Sequence, residues 1–134
     1  MAIIKNVNNK FSSNIPCEYI KNQQERDDNE YHVTIVNSTE LKEIGFKNET
    51  INDDLFILGL GRVEKDNNEV YYLLVHCNYF NKIRSLYKLN KINYHITLGF
   101  KFIDIHNVNK GFNTIIKKND KLDLSKIFKI NDVE

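Results

Sequence analysis

Short apolar stretches separated by polar turns run along the chain and predict β-strands. Residues 31–36 and 92–98 are rich in β-branched and aromatic side chains, the types that favour strands. Residues 55–63 and 70–76 have the same character, and Lys65-Asp-Asn-Asn68 between them is typical of a turn. These two strands therefore predict a β-hairpin.

Other stretches carry the signals of helices. Apolar residues recur about every 3.6 positions across residues 78–89, which predicts an amphipathic helix with Asn78 as its N-cap. Asn37-Ser-Thr-Glu40 resembles a helix N-cap arrangement and predicts a short helix that ends near Gly45. Towards the Lys-rich end of the chain, residues 125–130 predict a short terminal helix with a solvated charged face.

The N-terminal segment is weakly patterned. Ile3-Ile4 predicts the start of a strand, and residues 12–16 predict a turn. Residues 17–20 indicate a short extended piece, and the wholly polar run from Lys21 to Glu30 predicts an exposed loop. Near the other end of the chain, residues 112–116 predict a further strand.

Strand, helix, hairpin, helix and strand follow one another with short connections, which favours an α+β domain with a mainly antiparallel sheet. The length of 134 residues suits one domain, so residues 1–134 are expected to form a single unit. The 19 Lys and Arg residues nearly balance the 18 Asp and Glu residues, for a net charge of +1. This balance argues against binding along a long nucleic acid but leaves a compact phosphate ligand open.

The cysteines and the N-terminus bear on where the protein works. Cys17 and Cys77 lack a C-x-x-C spacing, and Met1 to Lys5 holds too few apolar residues for a signal peptide. No stretch is apolar enough over a sufficient length to span a membrane. We therefore expect a reduced, cytoplasmic protein without a membrane partner.

The strongest chemical signal is a repeated segment. Tyr31-His-Val-Thr-Ile35 and Tyr94-His-Ile-Thr-Leu98 match in residue type at every position. Residues two apart share a face of a strand, so each segment presents one histidine and one threonine on a common face. The opposite face of each strand, which includes Tyr31 and Tyr94, is expected to pack inward.

The two motifs suit the cleavage of a phosphodiester without a metal. Imidazole titrates near neutral pH, so either His32 or His95 can activate water or a hydroxyl while the other protonates the leaving oxygen. The hydroxyls of Thr34 and Thr97 can donate to non-bridging phosphate oxygens. His76 stands beside a cysteine but lacks further ligands at a suitable spacing, so neither a metal nor another cofactor is expected.

At these motifs the chain resembles the 2H phosphoesterase superfamily, which is defined by two His-x-Thr/Ser motifs. In particular, residues 31–116 resemble the 2H domain of Swiss Army Knife RNA repair-like proteins. That domain's pattern has a Gly-x-Gly strand, an Arg-bearing helix, a His-Ile-Thr-Leu-Gly-Phe strand, an Asp-x-His segment and a Lys. The matching residues here are Gly59-Leu-Gly61, Arg84, His95 to Phe100, Asp104-Ile-His106 and Lys110-Gly111.

The resemblance implies a bilobal α+β fold in which antiparallel sheets and flanking helices surround a central groove. It implies that His32 and His95 are the acid–base pair and that Thr34 and Thr97 hold the phosphate. The implied substrate is a nucleotide or RNA 3′ end with a 2′,3′-cyclic phosphate, or a related phosphodiester. The larger repair proteins carry kinase or ligase modules for which this chain has no room, so an RNA repair role would need separate partner proteins. The chain itself is expected to be a monomer.

Four further residues are candidates for lining the pocket. Phe100 or its neighbour Phe102 could stack on a base, although core packing competes with that role. His106 could contact a base or lie plainly on the surface, and Lys110 could offset phosphate charge. Arg84 could contact phosphate, but an ion pair on the helix surface is favoured for it.

The two motifs are also compatible with other functions. The same site would serve a nuclease of cyclic oligonucleotide signals, an activity that some phage members of the superfamily have. It would also serve a module that binds a nucleotide or RNA end without turnover. If the repeated motif is a coincidence, the histidines of the two copies should lie far apart in the fold.

Overall fold

The computed structural model describes residues 2–4, 11–37, 40, 49–106, 108–119 and 124–130. Within these ranges it contains strands, α-helices and two short 3-10 helices, Ser12–Asn14 and Phe112–Thr114. None of the helices described is long and apolar enough to cross a membrane. The main elements are β1 (Ala2–Ile4), α1 (Cys17–Arg26), β2 (Tyr31–Val33), β3 (Glu49–Lys65), β4 (Asn68–His76), α2 (Asn78–Leu86), β5 (Tyr94–Phe100), β6 (Ile115–Lys118) and β7 (Leu124–Ile130).

All described strands belong to one sheet in which every pair is antiparallel. The strand order is β2-β1-β7-β3-β4-β5, and β6 also pairs with β3. β3 is 17 residues long, and one of its edges pairs with β4 while the other pairs with β7 and then with β6. The predicted α+β class with a mainly antiparallel sheet is confirmed, whereas the division into two lobes stays a prediction.

The predicted hairpin of β3 and β4 is confirmed. The strands pair from Phe56 opposite His76 to Lys65 opposite Asn68. Asp66 and Asn67 form the turn with φ angles of 53° and 64°. Asn and Asp tolerate this left-handed conformation, and two such residues in succession give the turn a twist that matches the strands.

The core lies on the apolar face of the two motif strands. Val33, Ile96 and Leu98 are fully buried and belong to the main cluster of apolar side chains. Tyr94 is also buried in this cluster, and Tyr31 packs against it, as the alternation of side chains predicts. The opposite face of each strand is therefore left for the histidine and the threonine.

The prediction for residues 17–30 is wrong, because Cys17–Arg26 forms a helix rather than an extended piece and a loop. Tyr19 and Ile20 pack against the core, but the next residue on the buried side is Gln23, which is 1% exposed. Its side-chain nitrogen donates to Asp27 and to the backbone oxygen of Glu30, both at 3.0 Å. A buried glutamine interrupts the apolar stripe, so hydrophobic periodicity does not reveal this helix.

The terminal helix predicted over residues 125–130 is also wrong. Leu124–Ile130 is a strand that lies between β1 and β3 and pairs with both. Its pairing partners are distant in the sequence, and the ladder bonds on both edges outweigh the local pattern that favoured a helix. The strand predicted over residues 112–116 begins later than expected, since a 3-10 turn precedes β6.

Smaller corrections concern the ends of elements. β2 ends at Val33, three residues earlier than the predicted strand. Asn78 is the first residue of α2 rather than its N-cap, and its side-chain oxygen is hydrogen-bonded to His76 at 3.0 Å. The predicted capping arrangement is present, because the backbone N–H of Glu40 donates to the side chain of Asn37 at 2.8 Å. The helix predicted to follow, up to Gly45, lies outside the described residues.

Arg84 is buried rather than placed on the helix surface. Its guanidinium forms two hydrogen bonds of 3.0 Å with the carboxylate of Glu40. It also donates to the backbone oxygens of Ile35 at 2.8 Å and Asn90 at 2.6 Å. Burial is tolerated because the charge is paired and several donors are satisfied. The ion pair fixes the chain directly after the first motif.

We predict that Arg84→Met lowers the free energy of unfolding by about 3 kcal/mol, because it leaves the Glu40 carboxylate without its partner. Denaturant unfolding followed by circular dichroism measures this. The matched control is Arg62→Met, which breaks ion pairs with Glu64 and Glu69 that are more exposed than the pair of Arg84 and should change stability by less than about 1 kcal/mol. Equal losses in the two variants would contradict the role assigned to Arg84.

Candidate active site

The two motif strands lie at opposite ends of the sheet, yet they lie against each other. β2 begins the strand order and β5 ends it, and the two are in contact. The sheet must therefore curl until its ends meet, which brings His32 towards His95. The charge that His32 carries when protonated is the smallest of the effects that lower the pKa of His95.

His95 lies in a buried setting beside a lysine. The Nζ of Lys110 is 3.4 Å from Nε2 of His95, and the Lys110 side chain is only 5% exposed. The same Nζ donates to the backbone oxygen of Ile105 and lies 5.6 Å from the centre of the Tyr72 ring. The Tyr72 ring also packs edge-on against the His95 ring. An ammonium can only donate, so Nε2 is the unprotonated nitrogen of His95 in this contact.

A single carboxylate, that of Asp104, connects the second motif to two cations. Its Oδ2 accepts a hydrogen bond from the Thr97 hydroxyl at 3.0 Å and one from Arg26 at 2.8 Å. Its Oδ1 is 3.5 Å from Nζ of Lys110 and has no hydrogen-bond partner among the described residues. The Asp104 side chain is 6% exposed. Asp104 is thus a buried anion held by one hydroxyl and two positive charges.

The chain of contacts continues to the first motif through α1. Arg26 donates to both oxygens of Asp27, at 2.8 Å from Nε and 2.7 Å from Nη2. Oδ2 of Asp27 lies 3.9 Å from Nδ1 of His32. An unbroken series of polar contacts therefore runs from His32 through Arg26 and Asp104 to His95.

A glycine in β5 allows α1 to bring Arg26 and Asp27 to this place. A Cβ atom on Gly99 would lie 2.9 Å from the carbonyl carbon of Tyr19 and 3.1 Å from the backbone nitrogen of Ile20. Backbone atoms cannot move aside as a flexible side chain can. Only glycine lets the helix approach β5 this closely.

Burial and charge set the protonation of the cluster. Burial, with the positive charge of Lys110 acting in the same direction, lowers the pKa of His95 to about 3. Burial also lowers the pKa of His32, although Asp27 opposes that shift. Burial alone would raise the pKa of Asp104, but Lys110 and Arg26 outweigh it and the pKa falls. Both imidazoles are therefore neutral, and the carboxylate is charged, near pH 7.

Sequence comparison assigns the chain to a family. The model of the Swiss Army Knife 2H phosphoesterase domain matches residues 2–106, most of the chain. The chain belongs to this family. Membership supports a phosphoesterase-type activity in general terms. Neither a curated protein nor a solved structure matches the chain.

The family match covers both His-x-Thr motifs of the 2H phosphoesterase domain. It also covers α1, which lies between β1 and β2. The resemblance drawn from the motifs covered residues 31–116 and omitted α1. The family match begins earlier and so includes Arg26 and Asp27, whereas it ends before Lys110. Lys110, which the motif resemblance includes, lies beyond the family match, and the structure places it next to His95.

An open cavity of about 600 Å³ adjoins the polar cluster of this 2H phosphoesterase. Phe100 and His106, two of the predicted pocket residues, lie along it. Phe102 also lines the cavity and is 61% exposed, whereas Phe100 is 5% exposed and lies under the Arg26 guanidinium at 5.0 Å. The cavity thus has aromatic side chains on the side next to Asp104.

The structure places most of the predicted site residues of the 2H phosphoesterase in one region. His95, Thr97 and Lys110 belong to the cluster, and His32 joins it through Asp27. Thr34 directly follows β2 and is partly buried. Arg84 lies outside this region, because its guanidinium is taken up by Glu40 and by backbone oxygens.

Sequence reasoning missed three charged members of the site. Arg26 and Asp27 fell in the stretch interpreted as an exposed loop, although they precede the first motif by only a few residues. Asp104 was noted in the family pattern without a role. Within the part of the chain that the structure describes, no three His, Cys, Asp or Glu side chains are grouped to hold a metal ion.

The lowered pKa of His95 predicts a specific dependence of stability on pH. Below its ordinary pKa of 6.5, this histidine is protonated in the unfolded chain but stays neutral in the fold. Stability is then lost as the pH falls, by about 2 kcal/mol between pH 6.5 and pH 5. Denaturant unfolding at several pH values should show this extra loss in the wild type and not in His95→Gln. The same pH dependence in both proteins would contradict the burial of a neutral His95.

We predict that Gly99→Ala pushes α1 away from β5 and displaces Arg26 and Asp27. It should lower the free energy of unfolding by about 1–3 kcal/mol and lower phosphoesterase kcat/KM by about tenfold or more. The control is Gly59→Ala, whose Cβ would meet the backbone oxygen of Lys117 at 2.7 Å, away from α1. That variant should lose stability but keep its activity. If both variants kept full activity, the docking of α1 would not position the site.

Proposed function

We propose that this 2H phosphoesterase hydrolyses 2′,3′-cyclic phosphates or related nucleotide and RNA-end phosphodiesters by acid–base catalysis between His32 and His95, without a metal. The observation that carries the proposal is the meeting of β2 and β5. That contact supports a shared site, because His32 lies beside Asp27, which is bonded to Arg26, and Arg26 in turn is bonded to the Asp104 carboxylate that accepts from Thr97. Two imidazoles on either side of one phosphorus atom supply the base and the acid that hydrolysis needs.

The surroundings of the two histidines suggest a role for each. His95 is neutral, and the contact with Lys110 marks Nε2 as its unprotonated nitrogen, so we assign it as the base. His32 lies beside the carboxylate of Asp27, whose charge favours the imidazolium form, so we assign it as the acid. A bound phosphate anion would raise the pKa of both rings towards the working pH.

The proposed reaction proceeds by one displacement at phosphorus. His95 takes a proton from water as the water oxygen attacks phosphorus. The bond from phosphorus to the ribose 2′ or 3′ oxygen breaks, and His32 gives its proton to that oxygen. Thr34, Thr97 and the nearby cations would stabilise the charge that grows on the non-bridging oxygens.

Two features favour a nucleotide as the substrate. The cavity of about 600 Å³ beside the cluster has space for a nucleoside, and the exposed ring of Phe102 offers aromatic surface to a base, whereas Phe100 is buried. The net charge of +1 is too small to hold a long RNA backbone, whereas the local cations Arg26 and Lys110 suit a single phosphate.

The proposal is tested with a panel of 2′,3′-cyclic mononucleotides, short RNAs with cyclic ends, and 3′,5′-linked cyclic di- and trinucleotides, all in EDTA. We expect turnover of the 2′,3′-cyclic compounds. His32→Ala and His95→Ala should each lower the rate by about a thousandfold, since each removes one proton transfer. The matched control is His76→Ala, because His76 pairs with Asn78 outside the cluster and should not affect the rate.

Three outcomes would count against the proposal. Loss of activity in EDTA with recovery in zinc would indicate a metal-dependent mechanism. Turnover of the 3′,5′-linked cyclic oligonucleotides alone would identify a nuclease of such signals. Tight binding of a cyclic nucleotide without any product would identify a binding module.

A further inference from the structure

The Asp104 carboxylate is in contact with one hydroxyl and two cations, which are groups that could also bind a phosphate. A phosphodiester in the proposed site would accept hydrogen bonds from Thr97 and from nearby cations. Here the Thr97 hydroxyl donates to Asp104 at 3.0 Å, so its hydrogen is not available to a ligand. Arg26 donates to the same carboxylate oxygen at 2.8 Å, and Lys110 lies 3.5 Å from the other.

We propose that Arg26 and Lys110, with Thr97, form the phosphate-binding site and that Asp104 occupies this site when no substrate is bound. The Asp104 side chain leaves the site when the substrate binds. The inference rests on the proposed function, because it takes a phosphodiester as the ligand. Neither cation belongs to a His-x-Thr motif. Arg26 comes from α1, and Lys110 follows β5.

The charges of the cluster favour a ligand with one negative charge. Arg26 and Lys110 are balanced by Asp27 and Asp104, and both histidines are neutral. If Asp104 withdraws, one positive charge is left unbalanced. A phosphodiester carries a single negative charge and presents two non-bridging oxygens, as a carboxylate does. It can replace Asp104 as the partner of Arg26 and Lys110, so that neither cation loses its anion when Asp104 withdraws.

One carboxylate oxygen of Asp104 lacks a hydrogen bond within the described part of the chain, and an open cavity lies next to the side chain. Its Oδ1 is buried but has no hydrogen-bond partner among the described residues. The residue also borders the open cavity of about 600 Å³. The neighbouring backbone is fixed, because the side chain of Asn68 bonds to Phe102 N at 3.0 Å and Ile103 O at 2.7 Å. Rotation of the Asp104 side chain into the cavity, without movement of the chain, would therefore open the site.

The proposal predicts opposite effects for the two charged partners. Inorganic phosphate alone is the probe, and isothermal titration calorimetry measures its dissociation constant. Asp104→Asn should tighten phosphate binding about tenfold, since it removes the internal competitor. Adding Arg26→Gln to that variant should weaken binding about tenfold or more, since it removes a charge-assisted hydrogen bond.

The matched controls are Glu69→Gln and Arg62→Gln. These residues form an ion pair away from the site, and the exposed fraction of the Arg62 side chain equals that of Arg26, 31%. Neither control should change phosphate binding. In kinetic assays, Asp104→Asn should lower KM for a cyclic nucleotide, since the substrate no longer competes with a carboxylate for Arg26 and Lys110.

A second measurement uses the wild-type protein and does not depend on how well a variant folds. The side-chain carboxyl ¹³C signal of Asp104 should move towards that of a solvent-exposed aspartate as phosphate is added. The phosphate concentration at which half of this shift has occurred should match the dissociation constant from calorimetry. Phosphate binding that leaves this signal unchanged would overturn the proposal.

Weaker phosphate binding by Asp104→Asn, together with a lower kcat, would also overturn it, because Asp104 would then be a permanent part of the site. These results do not depend on whether the proposed hydrolysis takes place. Phosphate binding is measured without turnover, so a chain that cleaves none of the cyclic substrates can still show the predicted changes. Conversely, if the enzyme is active but Asp104→Asn does not tighten phosphate binding, only the proposed role of Asp104 is refuted.

Discussion

The site depends on the contact between β2 and β5, the two ends of the strand order. Each strand alone carries one histidine, which is half of the proposed acid–base pair. A flat sheet with this strand order would hold the two halves apart by the width of the intervening strands. Because the sheet curls, the half-sites face one buried region, and the hydrophobic core beneath both strands holds them there.

The structure also depends on the balance of charge in the polar cluster between β2 and β5. Isolated charges are costly to bury, and this cluster contains two cations and two carboxylates in contact. Their arrangement joins α1, β5 and the segment after β5, so the ion pairs serve the tertiary structure as well as the site. They also explain why the imidazoles stay neutral although they lie close to carboxylates. Burial and nearby positive charge outweigh the carboxylates.

The sequence predicts the parts of this structure that local pattern controls. The motif strands, the hairpin and α2 follow from alternation, turn residues and helical periodicity within a few residues of each other. α1 was missed because a buried glutamine, Gln23, interrupts its apolar side and because it docks through a backbone contact at Gly99. β7 was missed because its strand character comes from partners far away in the chain.

The same reasoning explains which site residues could be predicted. His32, Thr34, His95 and Thr97 repeat in a recognisable motif, so residue type and spacing reveal them. Ion pairs between distant residues leave no such signal. The pairing of Arg26 with Asp104 and the burial of Arg84 against Glu40 both depend on tertiary structure. The family match includes α1, but the role of Arg26 at the end of this helix follows only from the geometry.

The proposed function requires that both imidazoles bind one phosphate. A phosphate titration of the wild-type protein, followed by the ring nitrogen signals of all four histidines in NMR spectra, tests this requirement. The signals of His32 and His95 should move together with one dissociation constant, while that of His76 stays unchanged. If only one of the two responds, or if they respond with different dissociation constants, the histidines do not share an anion and the proposed function is wrong.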